Sequence, residues 1–285
     1  MLLKTLAIGL FAVLATALPT SSLDKRANVA VTSSSNLVKY ANYAAAAYNN
    51  HKVNTWNCKV ACKQKATAGT KVAGYWDYPS VGNKGYIAVN SKTKEIIVAY
   101  RGTKTALGWV TNVQATKDNW PSGVKGSEVH SGFLKAYKKS QKFVRKSIDK
   151  LAKKYPTYKV VFVGHSLGGA LASLTAADVA KSTPELTERM HLYTYGQPRV
   201  GTQEFASWMN KRGFPIYRVT YKQDAVPHSP PLAMGFRHFN QEVWYNLAGD
   251  IKWCGATTEN KKCQNSVKPQ DFSKDDHSKY PGFEY

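Results

Sequence analysis

Lys159-Val160-Val161-Phe162-Val163-Gly164-His165-Ser166-Leu167-Gly168-Gly169-Ala170 is the stretch that decides the fold. Residues 159–163 form a nearly continuous apolar run of the kind found in a strand buried on both faces. Residues 168–180 are apolar and Ala-rich, which predicts a buried helix. Between them stands G-x-S-x-G, a pattern that carries chemistry when a strand precedes it and a helix follows. A serine at such a turn sits on unfavourable backbone, so its hydroxyl stands clear above the sheet. Glycines two before and two after remove side chains that would collide in so tight a bend. The helix then directs its first amides outward, with Leu167 N–H facing a developing oxyanion. A serine that only caps a glycine-rich helix start is the competing reading, and the strand before it and Gly168-Gly169 after it weigh against that.

Reading outward, strands and helices alternate. Residues 34–48 predict a helix behind a Ser cap, with Leu37, Tyr40, Ala41, Ala44, Ala45 and Tyr48 on one face. Residues 86–89 and 95–100 predict paired strands around a turn. Residues 133–155 predict a long amphipathic helix, apolar at Tyr137, Val144, Ile148, Leu151 and Tyr155 and Lys-rich elsewhere, stopped by Pro156. Strands at 191–195 and 216–221 flank a helix at 204–211. This succession argues for a mostly parallel sheet covered on both faces, in one domain without internal repeats.

A serine at its free pKa is a poor nucleophile, so a base and an orienting acid are needed. In this architecture they follow the serine, acid first. Asp224 lies just past the strand at 216–221, at a strand's C-terminal end where such sites gather. Asp178 reads as a solvated helix charge, and Asp250 and Asp271 are weaker candidates. Three histidines follow Asp224. His228 shares its loop, His238 sits near a strand in a packed setting, and His277 lies on a late loop that suits a base. Spacing favours His277 and leaves the other two open.

The N-terminus reads as an address. Residues 1–17 combine Lys4, an apolar run and Ala15-Thr16-Ala17, the parts of a secretory signal peptide. Residues 18–26 end in Lys25-Arg26 and read as a short propeptide, which leaves 27–285 as the catalytic domain. The chain carries 40 Lys+Arg against 18 Asp+Glu, a net charge of +22, yet only 8 of the basic residues are Arg. A Lys coat spread along the chain argues for solubility or attraction to an anionic film, and against nucleic acid, whose readers lean on clustered Arg forks. Secretion makes disulfides the expectation for Cys58, Cys62, Cys254 and Cys263. Three pairings are possible; Cys58–Cys62 and Cys254–Cys263 are preferred because each closes a short loop. The spacings are not those of a zinc knuckle, and neither H-E-x-x-H nor a calcium loop occurs, so no metal or other cofactor is expected. N-x-[ST] sequons are absent.

Four segments together resemble a known family: Ala99-Tyr100-Arg101-Gly102-Thr103, Val163 through Ala170, Tyr195-Gly196-Gln197-Pro198-Arg199-Val200-Gly201, and Asp224-Ala225-Val226-Pro227-His228-Ser229-Pro230-Pro231. They resemble the secreted fungal triacylglycerol lipases of the class 3 lipase family, which also contains feruloyl esterases. The likeness runs over roughly residues 34–280. It implies the α/β-hydrolase fold, a mostly parallel sheet with helices on both faces and a short lid helix. It also implies a triad of Ser166, Asp224 and His277, with Thr103 as the second oxyanion donor beside Leu167. The cysteine spacings are similar to the family's two local disulfides; its third bridge, between the N- and C-terminal segments, has no counterpart here.

Residues 104–113 resemble the lid of these lipases. Leu107, Trp109, Val110 and Val113 would supply the apolar side of a flap that turns toward lipid. The same segment could instead be a surface loop with one packed Trp. Its polar residues Lys104, Thr105, Thr111 and Asn112 leave room for partial glycerides or phospholipids. The implied function is hydrolysis of acylglycerol esters in peripheral contact with a lipid surface. A soluble feruloyl or short-chain esterase and a non-catalytic lipid-binding relative are the alternatives.

Overall fold

The computed structural model describes residues 31–103, 115–120, 123–255 and 258–285. The predicted signal peptide, propeptide and lid positions Leu107, Trp109, Val110 and Val113 lie outside the described residues. Helix α1 (Ser34–Ala46) opens the chain, capped by the Ser33 hydroxyl, and a short α2 (Val60–Lys63) follows. Then come β1 (Thr70–Tyr78), β2 (Asn83–Asn90) and β3 (Glu95–Tyr100). Two short strands, β4 (Lys117–Asn119) and β5 (Glu128–His130), lead into α3 (Ser131–Lys154). The decisive segment folds as β6 (Lys159–His165) and α4 (Leu167–Ser182). After them stand β7 (Met190–Tyr195), β8 (Gly201–Thr202), α5 (Gln203–Asn210), β9 (Ile216–Tyr221), β10 (Phe236–Arg237), β11 (Glu242–Tyr245) and β12 (Ile251–Trp253).

Among the described residues, eight strands form one sheet in the order β1-β2-β3-β6-β7-β9-β11-β12. From β3 to β11 neighbouring strands run parallel; the pairs at the two ends, β1-β2-β3 and β11-β12, are antiparallel. Strands β10, β8, β5 and β4 make a second, smaller sheet. This is the α/β-hydrolase arrangement, with a parallel centre that places every helix connection across a face.

Alternation within the strands accounts for the continuous apolar runs. Ile96, Val98, Val160 and Phe162 enter a core built with α3, α4 and α5. Their neighbours Ile97, Ala99, Val161 and Val163 enter the opposite core, under α1. Successive side chains point to opposite faces, so a strand covered on both sides must be apolar throughout. Fully burying each such Val or Phe stabilises the fold by about 1.5–3 kcal/mol. Asp178 is not the solvated charge that its position on a helix suggests. It accepts from Tyr137 Oη at 2.6 Å and pairs with Arg145 at 3.2 Å, which ties α4 to α3.

The cysteines form Cys58–Cys62 and Cys254–Cys263. The two ends of the domain meet without a covalent bridge. Tyr285 stacks on Tyr48 with ring centroids 4.5 Å apart, and Phe283 meets the same ring edge-on at 5.4 Å. Among the described residues, no helix is long and apolar enough to cross a membrane.

Candidate active site

Ser166 occupies the turn between β6 and α4 with φ 58° and ψ −130°, a region that L-residues with side chains rarely adopt. The crowding that sequence reading anticipated is present. A Cβ on Gly164 would run into the backbone of Gly168 and Gly169, and one on Gly168 into the backbone of Tyr100 and Arg101. Ser166 N–H donates to Tyr195 carbonyl at 2.9 Å, which pins the turn to β7. The serine is buried, at 2% exposure.

Asp224 follows β9 and is fully buried, so its charge needs partners. It has three. Val226 N–H donates to Oδ1 at 2.9 Å, and Tyr280 hydroxyl donates to Oδ2 at 2.6 Å. The third is His277, whose Nδ1 lies 2.9 and 3.0 Å from the two carboxylate oxygens. A carboxylate oxygen only accepts, so Nδ1 carries the proton and Nε2 keeps its lone pair. Nε2 is buried and has no partner among the described residues. The His277 ring packs at 4.4 Å on the ring of His165, the residue that precedes Ser166.

Backbone pairing holds the acid and imidazole loops together. Asp224 bridges Ser273 in parallel, with Ser273 N–H donating to Gln223 carbonyl at 2.8 Å and Ala225 N–H to Ser273 carbonyl at 3.1 Å. The position facing both groups is Gly196, at φ 56°. A Cβ there would lie 2.8 Å from Asp224 Oδ2 and 2.8 Å from His277 Cε1. Neither Gly196 nor Tyr280 stands out as a functional residue in the sequence alone. The available signal was Tyr280, three residues past His277, since a buried carboxylate calls for O–H or N–H donors.

Thr103 and Leu167 share a neighbour in Gly82. Gly82 lies against both, its Cβ position 3.4 Å from Thr103 Cγ2 and 3.6 Å from Leu167 Cδ2. Thr103 Oγ1 is buried without a partner among the described residues. Leu167 is the first residue of α4, where amides have no acceptor within the helix. Two groups with unused donor capacity, the Thr103 hydroxyl and the Leu167 amide, thus belong to residues that both lie against Gly82.

The other two candidate histidines are engaged elsewhere. His238 Nε2 donates to Pro227 carbonyl at 2.8 Å, and the His228 ring stacks on Phe272 at 4.0 Å. Among the described residues, one group has the spacing of metal ligands: Glu242, Cys254 and Cys263. Both of its sulfurs are spent in a disulfide.

Five histidines titrate below their ordinary range. Burial pushes His130, His191 and His228 down to about 4, with Lys159 adding to the effect at His191 and Arg199 at His228. Burial also holds His165 and His238 well below it, helped by His277 and Arg218 respectively. Each has a folded pKa below the unfolded value, so the unfolded chain binds more protons as pH falls through about 6.5. Stability is therefore full above pH 6.5 and erodes from there toward pH 4. Each such histidine contributes up to about 1.4 kcal/mol per pH unit in that window. Urea midpoints taken from pH 8 to pH 4 should fall across this range, and a flat profile would contradict the assignment.

A family model described as lipase (class 3) matches residues 97–234, a span that takes in Thr103, Ser166 and Asp224. The lipase of Rhizopus niveus is 34% identical over 235 residues, covering 81% of this chain and 59% of that relative. The secreted mono- and diacylglycerol lipase 1 of Fusarium solani is 34% identical over 249 residues, covering 81% of this chain and 71% of the relative. The chain belongs to the class 3 lipase family. Its fold is similar to that of other members: the crystal structure of the lipase from Rhizopus microsporus var. chinensis superposes with a TM-score of 0.82 at 34% identity, over 89% of each chain. The chain spans about three fifths of the length of the first curated lipases it matches.

Proposed function

We propose that this chain is a secreted serine carboxylic-ester hydrolase, a lipase that cleaves acylglycerol esters at lipid–water interfaces. The observation that carries the reading is the buried His277 imidazole, held at Nδ1 by Asp224 and unpartnered at Nε2, packed beside the strained Ser166 turn. In this mechanism Nε2 takes the Ser166 proton as the hydroxyl attacks the ester carbon. The oxyanion forms against Leu167 N–H and the Thr103 hydroxyl. Protonated His277 then donates to the leaving alcohol, and water repeats the cycle on the acyl-enzyme to release the fatty acid. None of these steps calls for a metal.

Glycerides are the favoured substrate class because one relative is named a secreted mono- and diacylglycerol lipase and one similar solved structure a triacylglycerol lipase. The lid positions Leu107, Trp109, Val110 and Val113 would supply the surface that meets lipid. Secretion is supported by the signal-like residues 1–17 and by the two disulfides, which persist in oxidising compartments.

The test is hydrolysis of glyceride esters of graded chain length, below and above their solubility limit. A lipase gains rate sharply once substrate passes into droplets. A rate that plateaus at the solubility limit, with preference for short acyl or feruloyl esters, would replace this reading with the soluble esterase.

A further inference from the structure

His165 and Tyr48 lie between the two halves of the site and belong to neither. His165 fills the first x of G-x-S-x-G and is buried at 4% exposure. Its Nε2 lies 2.6 Å from His277 carbonyl, and its Nδ1 lies 2.8 Å from Tyr48 hydroxyl. The same hydroxyl lies against Gly102, the residue before Thr103, where a Cβ would collide with it. Chemistry fixes every proton in this chain. A carbonyl only accepts, so His165 Nε2 carries hydrogen and donates, and Nδ1 must then accept from Tyr48.

We infer that Tyr48 and His165 are positioning residues that lock the oxyanion loop and the general-base loop into one register. A close contact of Gly102 with Tyr48 Oη and two hydrogen bonds, Tyr48 Oη to His165 Nδ1 and His165 Nε2 to the His277 carbonyl, join the two loops. The Cβ position of Gly102 also lies against His165 carbonyl and Ser166 Cβ. The donor held at one end and the imidazole held at the other must serve the same reacting carbon within tenths of an ångström. The path is kept dry: Phe283 packs on the His165 ring at 4.1 Å, and Tyr285 stacks on Tyr48 at 4.5 Å. Burial holds His165 neutral, so it keeps its donor and acceptor while its neighbour His277 gains and loses a proton.

The inference rests on the triad proposed above, and the experiment separates the two. Tyr48→Phe, His165→Leu, His165→Gln and Ser166→Ala are compared with wild type on a soluble p-nitrophenyl ester. Turnover is expressed per active site titrated with a phosphonate, and thermal midpoints are recorded. Tyr48→Phe and His165→Leu should each lower kcat per titrated site by about 10–100-fold with KM within about twofold. His165→Gln keeps a donor for the His277 carbonyl and should recover most of that loss. If Tyr48→Phe and His165→Leu turn over at the wild-type rate per titrated site, and lose only titratable protein or melting temperature, the two residues are merely structural and the inference falls. Should His165→Leu not fold, Tyr48→Phe, which deletes one hydroxyl, decides alone. Wild-type turnover by Ser166→Ala would sink the triad instead, whatever the other variants do.

Discussion

Ser166→Ala should lower kcat on acylglycerol esters by about six orders of magnitude while leaving the fold and lipid adsorption intact. The size follows from what remains. Without the hydroxyl no acyl-enzyme forms, and the Thr103 and Leu167 donors with bound substrate can assist only direct attack by water. The backbone consequence runs the other way. Residue 166 sits at φ 58° in either variant, and the Gly164–Gly168 contact and the bond from its N–H to Tyr195 carbonyl remain. The melting temperature should therefore move little. Single-turnover assays with a chromogenic ester would measure the loss, and residual activity above about a thousandth of wild type would mean another nucleophile carries the acyl group.

Asp224→Asn should cost about four orders of magnitude in kcat, with KM almost unchanged. The two oxygens of Asp224 receive three donors: Val226 N–H, Tyr280 O–H and His277 Nδ1–H. An amide has one acceptor oxygen, so its NH2 must face one of these donors. Turned toward His277, it forces the proton from Nδ1 to Nε2, and the imidazole can no longer accept from Ser166. Turned the other way, it leaves a buried O–H or N–H unsatisfied, at about 1–3 kcal/mol. Burial and the neighbouring carboxylate raise the Tyr280 pKa well above its ordinary value, so the phenol stays a donor and offers no escape. A variant that keeps more than a tenth of wild-type kcat would show that Asp224 does not orient the base.

Much of this fold is legible in the sequence. The parallel centre announced itself because strands buried on both faces must be apolar at every position, as residues 160–163 are. The Ser166 turn was legible because its steric demands fall on Gly164 and Gly168, residue types that leave a visible pattern. Strand β1 was not legible. It is an edge strand whose Lys71, Gly74 and Asp77 break alternation, with a register shift between Val72 and Gly74. Strands β11 and β12 are too short for periodicity to register. The partners of the site were hidden for another reason. Tyr280 and Gly196 matter through contacts with Asp224 across 56 and 28 residues, and Tyr48 through its bond to His165 across 117, so no local pattern of sequence marks them. His165 was visible only as the first x of a motif, and its hydrogen bonds supply the meaning.

The central claim is that one serine carries the acyl group. Incubating the purified wild-type protein with a long-chain alkyl phosphonate, then mapping the adduct by peptide mass, tests it most directly. One phosphonyl group per chain on Ser166, appearing in step with loss of glyceride hydrolysis, is the predicted result. Full activity in an unmodified protein, or an adduct on any other residue, would contradict the account.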